Sequence, residues 1–199
     1  MLVSDSTPGS GSHPDAALWA ALLGGDLDAF DTIYDRHVGA VHRLLVRRVG
    51  PQEASDLTAE VFARAWAHRD RIRLAESGGL RPWLLGTALN VARTHRERAT
   101  SRDRLVMRIV AQGPLVEDPI GDAIDRIDDA AALPHARVAL ASLSIEDQEV
   151  LLLCVVEGLT PTDAALALGQ RASSVRSRLT RARRRLAAAY ELSSAEELS

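Results

Sequence analysis

The stretch SSVRSRLTRARRRL, residues 173 to 186, decides how the C-terminal part of the chain folds. Its apolar residues recur at helical spacing and form one narrow stripe, made of Val175, Leu179, Ala182 and Leu186. Six arginines and no acidic residue occupy the same stretch, so the helix has no opposite charge for i,i+4 pairing. A solvated surface helix normally carries both signs of charge. The pattern therefore favours a helix that binds nucleic acid over a merely solvated face.

The chain as a whole is nevertheless acidic, with 24 basic and 27 acidic residues and a formal net charge of −3. Its charges are blocked: residues 171–186 hold seven arginines and no acid, and residues 81–108 hold seven arginines against two acids. A local basic zone outweighs net charge when a protein binds an acidic polymer. All 24 basic residues are arginine, which suits phosphate binding, although genome base composition would produce the same bias.

The residues just before the basic stretch predict a helix-turn-helix. Ser144 is a suitable N-cap for SIEDQEVLLLCVVEG, and Gly158 is suited to the position after that helix. Thr160 and Pro161 restart the chain as N-cap and first helical residue of a short helix over 161–168, which runs to Gly169. A short helix, a glycine turn and a basic helix form the pattern of a DNA reader, with the second helix in the groove.

The rest of the chain also predicts helices, so we expect an all-α fold of two small helical domains joined by a flexible linker. Asp26 is the predicted N-cap of a long amphipathic helix, Gly50-Pro51 separates that helix from the next, and Pro82 opens another. A short helix is expected at 101–111. The predicted segments are a disordered N-terminus at 1–14, a helical domain at 15–98, an acidic linker at 99–130, a helix-turn-helix domain at 131–190 and an acidic tail at 191–199.

Several function classes find no support in the sequence. No apolar run reaches the length of a membrane span, and the N-terminus lacks the parts of a signal peptide, so we expect a cytoplasmic protein. Cys154 is the only cysteine, and a buried apolar role is the simpler interpretation than a redox role. Scattered histidines predict no metal site, and no cofactor or catalytic constellation is apparent. We therefore expect no metal, no cofactor and no enzyme activity.

Several motifs in order resemble a known family. GDLDAFDTIYDRH, DLTAEVFARAW and LRPWLLGTALNVARTHRER resemble region 2 of the extracytoplasmic-function sigma factors of bacterial RNA polymerase. LSIEDQEVLLLCVVEGLTPTDAALALGQRASSVRSRLTRARRRL resembles region 4 of the same family. The resemblance implies a subunit that binds core RNA polymerase through its β′ clamp helices and β flap. It also implies contacts with promoter DNA and, as is common in the family, with an anti-sigma factor.

The resemblance implies two sets of residues in region 2. The helix matching the clamp contact carries Asp56, Glu60 and Arg64, with Ala59 where the family usually has Gln. The helix matching the −10 element reader carries Trp83, Thr87, Asn90, Arg93 and Thr94, preceded by the loop of residues 74–79. Trp83 could equally be a core aromatic. Gly86 stands where the family often has Arg, which removes an expected phosphate contact.

In region 4 the resemblance assigns the −35 element to residues within the opening stretch: Ser173, Ser174, Arg176, Ser177, Thr180 and Arg181. Arg183, Arg184 and Arg185 are expected to hold phosphate or the polymerase flap. Gln170 replaces the usual apolar turn residue and Arg171 the usual small N-cap. These two departures predict a loss of about 1 kcal/mol in packing or capping of the turn, which could leave region 4 dependent on the polymerase for full order.

Two other functions remain open from the sequence. A stand-alone helix-turn-helix regulator would bind a palindromic operator as a dimer, but it leaves the region 2 motifs unexplained. A degenerate sigma-like protein would bind polymerase or an anti-sigma factor without initiating transcription, and Gly86 and Gln170 favour it. The acidic linker also suggests autoinhibition of DNA binding through Glu117, Asp118 and Asp122.

Overall fold

A computed structural model describes residues 14–76, 79–110 and 139–196. Within these ranges the chain contains helices and no β-strand, which confirms the predicted all-α class. The α-helices whose two ends lie in the described ranges are α1 (Pro14–Leu23), α2 (Asp28–Val49), α3 (Pro51–Ala67), α4 (Arg81–Val110), α5 (Ile145–Leu151), α6 (Pro161–Leu168) and α7 (Ala172–Glu196), and residues 139–141 are also helical.

Helices α1 to α4 form an N-terminal bundle around α2. Helix α2 packs on α1, α3 and α4, and α3 also packs on α4. The side chains between them are fully buried and apolar, and they include Ile33, Leu44, Val61 and Leu84. These residues recur at helical spacing in each amphipathic segment, which explains why each helix turns one side inward. Helices α5 to α7 form a C-terminal bundle in which α7 packs on α5 and α6.

The predicted helix-end signals are confirmed in the C-terminal bundle. The Ser144 hydroxyl accepts the N–H of Asp147, and the Thr160 hydroxyl accepts the N–H of Asp163. Gly158 and Gly169 have φ of +68° and +63°, a conformation that favours glycine. After α5 the chain widens into a π-helical turn over Leu152–Val156, a feature often found at functional sites.

Two helix boundaries differ from the prediction. Helix α2 begins at Asp28 with Leu27 at the N-cap position, while the Asp26 carboxylate accepts the N–H of Asp28 at 3.1 Å. Helix α4 is continuous to Val110, so the helix expected at 101–111 is confirmed over its described part, but as the end of α4 and not as a short helix of its own. The physical reason is that no glycine or proline occurs between Gly86 and residue 113, so nothing in the chain ends the helix. The rest of the predicted linker, 111–130, and the start of the predicted helix-turn-helix domain, 131–138, lie outside the described residues.

The two bundles pack directly against each other, chiefly through α4 and α6. Buried apolar side chains of both bundles form one continuous cluster. The closest approach is at Gly86: a Cβ placed on this residue would lie 2.2 Å from the backbone oxygen of Ala167. Only a residue without a side chain fits there without a shift of the backbone. We call this packed arrangement the closed form.

Candidate nucleic-acid interface

The first turns of α7 present an uninterrupted polar face. Val175, Leu179 and Ala182 are buried against the C-terminal bundle, as the apolar stripe predicts. The six residues assigned to DNA are all exposed on the other side of the helix: Ser173, Ser174, Arg176, Ser177, Thr180 and Arg181. They combine hydroxyls suited to phosphate with guanidinium groups suited to phosphate or guanine. Local periodicity was sufficient to predict that this side of the helix is exposed, whereas its assignment to DNA came from the family resemblance.

Not every arginine of α7 is available to a ligand. Asp147 of α5 is buried, and its carboxylate accepts hydrogen bonds from Arg178 at 3.2 Å and from Arg185 at 2.9 Å. Arg185, expected to hold phosphate or the flap, is therefore part of an ion pair that ties α7 to α5. Arg183 and Arg184 are exposed beside it, so the basic end of α7 keeps guanidinium groups that face solvent.

Helix α4 carries the second predicted reading face. Trp83, Thr87 and Thr94 are half-buried and Asn90 is exposed, and their spacing places all four on one side of the helix. Trp83 also packs against the apolar core, so the core role considered from the sequence applies to part of its surface. Arg93 differs from the other four because its guanidinium donates to both oxygens of Glu149, at 2.9 and 3.1 Å.

The predicted polymerase-contact residues form a stripe on α3. Asp56, Glu60 and Arg64 are spaced by four residues and lie on one side of the helix. Asp56 is exposed, and Glu60 and Arg64 are half-exposed and form an i,i+4 ion pair. Such a pair on a helix surface contributes only about 0.3–0.5 kcal/mol to stability. Replacing it with contacts to a binding partner therefore costs little free energy.

Sequence reasoning missed an ionic cluster between the bundles. Glu157 accepts hydrogen bonds from Arg47 at 2.9 Å and from Arg81 at 2.8 Å. Besides binding Arg93, Glu149 lies 3.5 Å from the Arg48 guanidinium. Both carboxylates come from the C-terminal bundle and are buried, and all four arginines come from the N-terminal bundle. We call these six residues the interdomain latch.

The latch holds its charges in a poorly solvated environment. Burial lowers the pKa of Arg48 to about 10; Glu149 opposes that shift, while Arg96 and Arg93 add to it. Among the described residues, Nη2 of Arg48 is buried without a hydrogen-bond partner. The carboxylates therefore compensate a crowded group of like charges, and removing one of them would leave buried positive charge uncompensated. No local pattern could have revealed the latch, because Arg47 and Glu157 are 110 residues apart.

A second buried network fixes the start of α4. The Asp15 carboxylate of α1 accepts from Arg36 at 2.7 Å and from the backbone N–H of Leu80 at 2.9 Å, and it lies 2.9 Å from Nε2 of His37. Burial raises the pKa of Asp15, but its hydrogen bonds to His37, Leu80 and Arg36 together bring the pKa well below its usual range. This network positions the turn that leads into Trp83.

The described part of the chain gives little support for a reactive thiol, a metal site or a membrane span. Cys154 is a free, half-buried thiol whose pKa is raised by burial, with Arg183 opposing the shift, and a raised pKa makes a thiol less reactive at neutral pH. No group of three or more metal-ligating side chains occurs within residues 14–76, 79–110 and 139–196. In the same ranges, none of the helices combines the length and apolar character needed to cross a bilayer.

Each bundle matches one known domain family. Residues 33–102 match the family described as Sigma-70 region 2, and residues 136–186 match Sigma-70, region 4. The first match contains the α3 stripe and the α4 reading face. The second contains the helix-turn-helix and the α7 reading face.

Similar curated proteins are bacterial RNA polymerase sigma factors. The sigma factor NccH of Alcaligenes xylosoxydans xylosoxydans is 30% identical over 185 residues, which cover 90% of this chain and 96% of NccH. The ECF sigma factor SigM of Mycobacterium tuberculosis is 29% identical over 181 residues, 90% of this chain and 86% of SigM. SigC of the same species is 35% identical over 140 residues, 69% of this chain and 70% of SigC.

Two solved structures share the fold. CnrH, in complex with the cytosolic domain of CnrY, superimposes with a TM-score of 0.60 at 23% identity, over 89% of this chain and 97% of CnrH. The sigma factor RpoE of Bartonella quintana, in complex with the anti-sigma factor NepR, superimposes with a TM-score of 0.59 at 22% identity, over 83% of this chain and 98% of RpoE.

Proposed function

The chain belongs to the extracytoplasmic-function sigma factors of bacterial RNA polymerase, and we propose that three of its helices divide the work of such a factor. Its function is promoter recognition and transcription initiation. Helix α3 docks on the core enzyme, α4 reads the −10 element and α7 reads the −35 element. The observation that carries this proposal is the outward polar face on each of these three helices, in the order that the two sigma regions require.

Helix α7 reads duplex DNA. The small residues Ser173, Ser174 and Ser177 let the N-terminal turns approach the DNA backbone closely, and their hydroxyls and the helix N-terminus meet phosphate oxygens. Arg176 and Arg181 reach base edges or neighbouring phosphates with their guanidinium groups. Arg183 and Arg184 extend the basic surface toward phosphate or the β flap.

Helix α4 holds the opened strand of the −10 element. Unstacking a base costs a few kcal/mol, which contacts to the extruded base must offset. Trp83 offers an aromatic surface beside the helix, and Asn90 is chemically suited to reading a base edge. Thr87 and Thr94 supply hydroxyls on the same side, and Arg93 supplies charge for a phosphate.

Docking on the core enzyme uses the α3 stripe. Asp56, Glu60 and Arg64 lie on the outer side of the N-terminal bundle and meet the β′ clamp helices. Since Ala59 stands where the family usually has Gln, this surface makes one polar contact fewer. We further propose an anti-sigma factor as a partner, because CnrH and RpoE, which share the fold, were solved with CnrY and with the anti-sigma factor NepR. The protein acts in the cytoplasm and carries out no catalysis of its own.

One experiment separates this function from its competitors. The purified protein is mixed with core RNA polymerase and transcription is measured on a library of promoter fragments. Specific initiation supports the sigma factor. Tight binding to an operator without core polymerase would instead indicate a stand-alone regulator, and core binding without initiation would indicate a degenerate factor.

A further inference from the structure

We propose that Arg47, Arg48, Arg81 and Arg93 form a phosphate-binding surface for promoter DNA, which the C-terminal bundle covers in the closed form with the carboxylates of Glu149 and Glu157. The inference rests on the proposed function and deepens it, because it extends the DNA surface from the reading face of α4 to the end of α2. It also makes closure and DNA binding by the N-terminal bundle mutually exclusive.

The geometry of the interdomain latch resembles that of phosphate held by arginine. Each carboxylate is shared by two guanidinium groups, one from α2 and one from the N-terminal bundle's α4. Carboxylate and phosphate are the two anions that the guanidinium fork binds best. Glu149 and Glu157 therefore occupy positions that DNA phosphates could take once the bundles separate.

The exposure of the latch residues is unequal and supports this assignment. The side chains of Glu149 and Glu157 are only 5% and 4% exposed, whereas those of Arg47, Arg81 and Arg93 are 33%, 39% and 47% exposed. Three of the arginines thus border the solvent, whereas Arg48, whose side chain is 9% exposed, is buried together with the two carboxylates. Without the carboxylates, four like charges would lie together and attract an anionic polymer.

Gly86 permits the close approach of the two bundles that brings Glu149 and Glu157 to the arginines. The backbone of Ala167 approaches α4 so closely that any side chain at Gly86 would overlap it. Arg93 is seven residues from Gly86, two turns along the same side of α4, so the bundle that contacts Gly86 also presents Glu149 to Arg93. The absence of the arginine that the family often carries at this position thus accompanies a close contact between the bundles.

The closed form leaves the other two surfaces free. The α3 stripe and the reading face of α7 are exposed while Arg93 is occupied. The core enzyme can therefore dock on α3 before the N-terminal bundle is able to hold DNA phosphates. The expected order is docking, separation of the bundles and then engagement of the −10 element.

Removal of the carboxylates tests the proposal directly. The double variant Glu149→Gln, Glu157→Gln is compared with the wild type and with Glu53→Gln, Glu146→Gln, which changes the net charge equally at less buried positions. Binding of the full chain to a fluorescein-labelled single-stranded DNA of mixed sequence is measured by anisotropy at several salt concentrations. We expect the latch variant to bind on the order of tenfold more tightly at low salt. Its log–log salt slope should be steeper by about 2 to 3, since each added phosphate contact contributes about 0.7.

A second substitution shows which arginines cause the gain. Adding Arg47→Gln and Arg81→Gln to the latch variant removes two of the four proposed contacts, so it should cancel about half of the gain in affinity and in slope. A gain that is undiminished in this quadruple variant would place the new DNA contacts on α7 and overturn the proposal. Equal affinity and slope in the wild type, the latch variant and the control would also overturn it.

Gly86→Ala tests the closed form without altering a charge. Gly39→Ala is the matched control, because a Cβ at Gly39 in α2 meets only the flexible end of Arg43 at 3.2 Å. We expect Gly86→Ala alone to increase the radius of gyration measured by X-ray scattering and to steepen the salt slope, with an unchanged helical circular dichroism spectrum. A compact Gly86→Ala protein with wild-type DNA binding would contradict the proposal. Because these measurements omit the polymerase, they fail independently of the transcription assay that tests the sigma function.

Discussion

The two helices proposed to read the promoter, α4 and α7, differ in what lies against them. Helix α7 buries its apolar stripe within its own bundle and leaves the whole reading face exposed. Helix α4 packs on both bundles, and Arg93, one of its five proposed reading residues, is bound to Glu149 of the other bundle. If these helices have the proposed roles, the closed form exposes the whole surface for the −35 element but only part of the surface for the −10 element.

The two basic zones of this acidic chain are also neutralised in different ways. Asp147 neutralises Arg178 and Arg185 within the C-terminal bundle, while Glu149 and Glu157 neutralise arginines of the other bundle. The first pairing is independent of how the bundles are arranged. The second is lost when they separate, so opening uncovers the arginines of the N-terminal bundle and the carboxylates of Glu149 and Glu157 on the C-terminal bundle.

The largest effect is expected from Glu60→Arg, which tests whether the core enzyme docks on the α3 stripe, the step proposed to precede exposure of α4. The change removes a carboxylate from the proposed docking stripe and places like charge beside Arg64. The affinity for core polymerase should fall about 100-fold, or about 3 kcal/mol, in a fluorescence anisotropy titration. Ser55→Arg, exposed on another side of α3, should bind core normally. An equal loss in both variants would show that the stripe is not a specific contact.

Arg176→Ala tests the reading face of α7, which is exposed in the closed form. Loss of one guanidinium from the α7 reading face should reduce −35-dependent initiation about thirtyfold, or about 2 kcal/mol, and leave core binding unchanged. Run-off transcription on a promoter with a scrambled −35 element is the control, since variant and wild type should then be equally active. A parallel loss of core binding would remove Arg176 from its proposed role.

Asp15→Asn tests the buried hydrogen-bond network that fixes the start of α4. Because the folded-state pKa of Asp15 is lowered, its ionised form stabilises the fold above the unfolded pKa of about 3.9. That stability is lost as the pH falls through the lower folded-state value. At pH 7 we expect the variant to be less stable by about 1.5 kcal/mol in urea unfolding, with the difference from the wild type shrinking below pH about 4. Asp70→Asn at an exposed site should show no such effect, and a pH-independent difference would contradict the assignment.

The smallest effect is expected at the start of α7. The carbonyl of Arg171 accepts the N–H of Val175 at 3.1 Å, so Arg171 occupies the N-cap position with a side chain poorly suited to it. Arg171→Ser should stabilise the C-terminal bundle by about 1 kcal/mol, seen as a higher melting temperature in calorimetry. Arg184→Ser, within the same helix, should produce no gain. If Arg171→Ser produces none either, the predicted weakness of this turn is wrong.

The signals that located the helices are short-range ones. Ser144, Thr160 and Gly169 end or begin helices through contacts with residues three to five positions away, so their chemistry is legible in the sequence. The exposed side of α7 follows from the same periodicity, and its proposed reading role follows from the family resemblance. A short helix is expected at 101–111, and residues 101–110 are helical, but they continue α4 because the sequence there contains neither glycine nor proline to break the helix.

The autoinhibition expected from the acidic linker concerns Glu117, Asp118 and Asp122, which lie outside the described residues. Among the described residues of the C-terminal bundle, the carboxylates that meet arginines of the N-terminal bundle are those of Glu149 and Glu157. In the sequence they appear only as acids of an ordinary amphipathic helix. Gly86 was likewise noticed as a missing arginine, and its contact with Ala167 could not be foreseen.

The sequence by itself determined that the chain is helical, where α7 turns its polar face, and which family its motifs resemble, because helix caps, apolar periodicity and local charge all act over one or two turns. Only the tertiary structure decided that Arg93 is occupied, that Arg185 belongs to an ion pair and that Gly86 admits a neighbouring backbone. Those outcomes depend on which surfaces meet across separations of 38 to 110 residues, and such meetings are set by how whole helices pack, which no local pattern records.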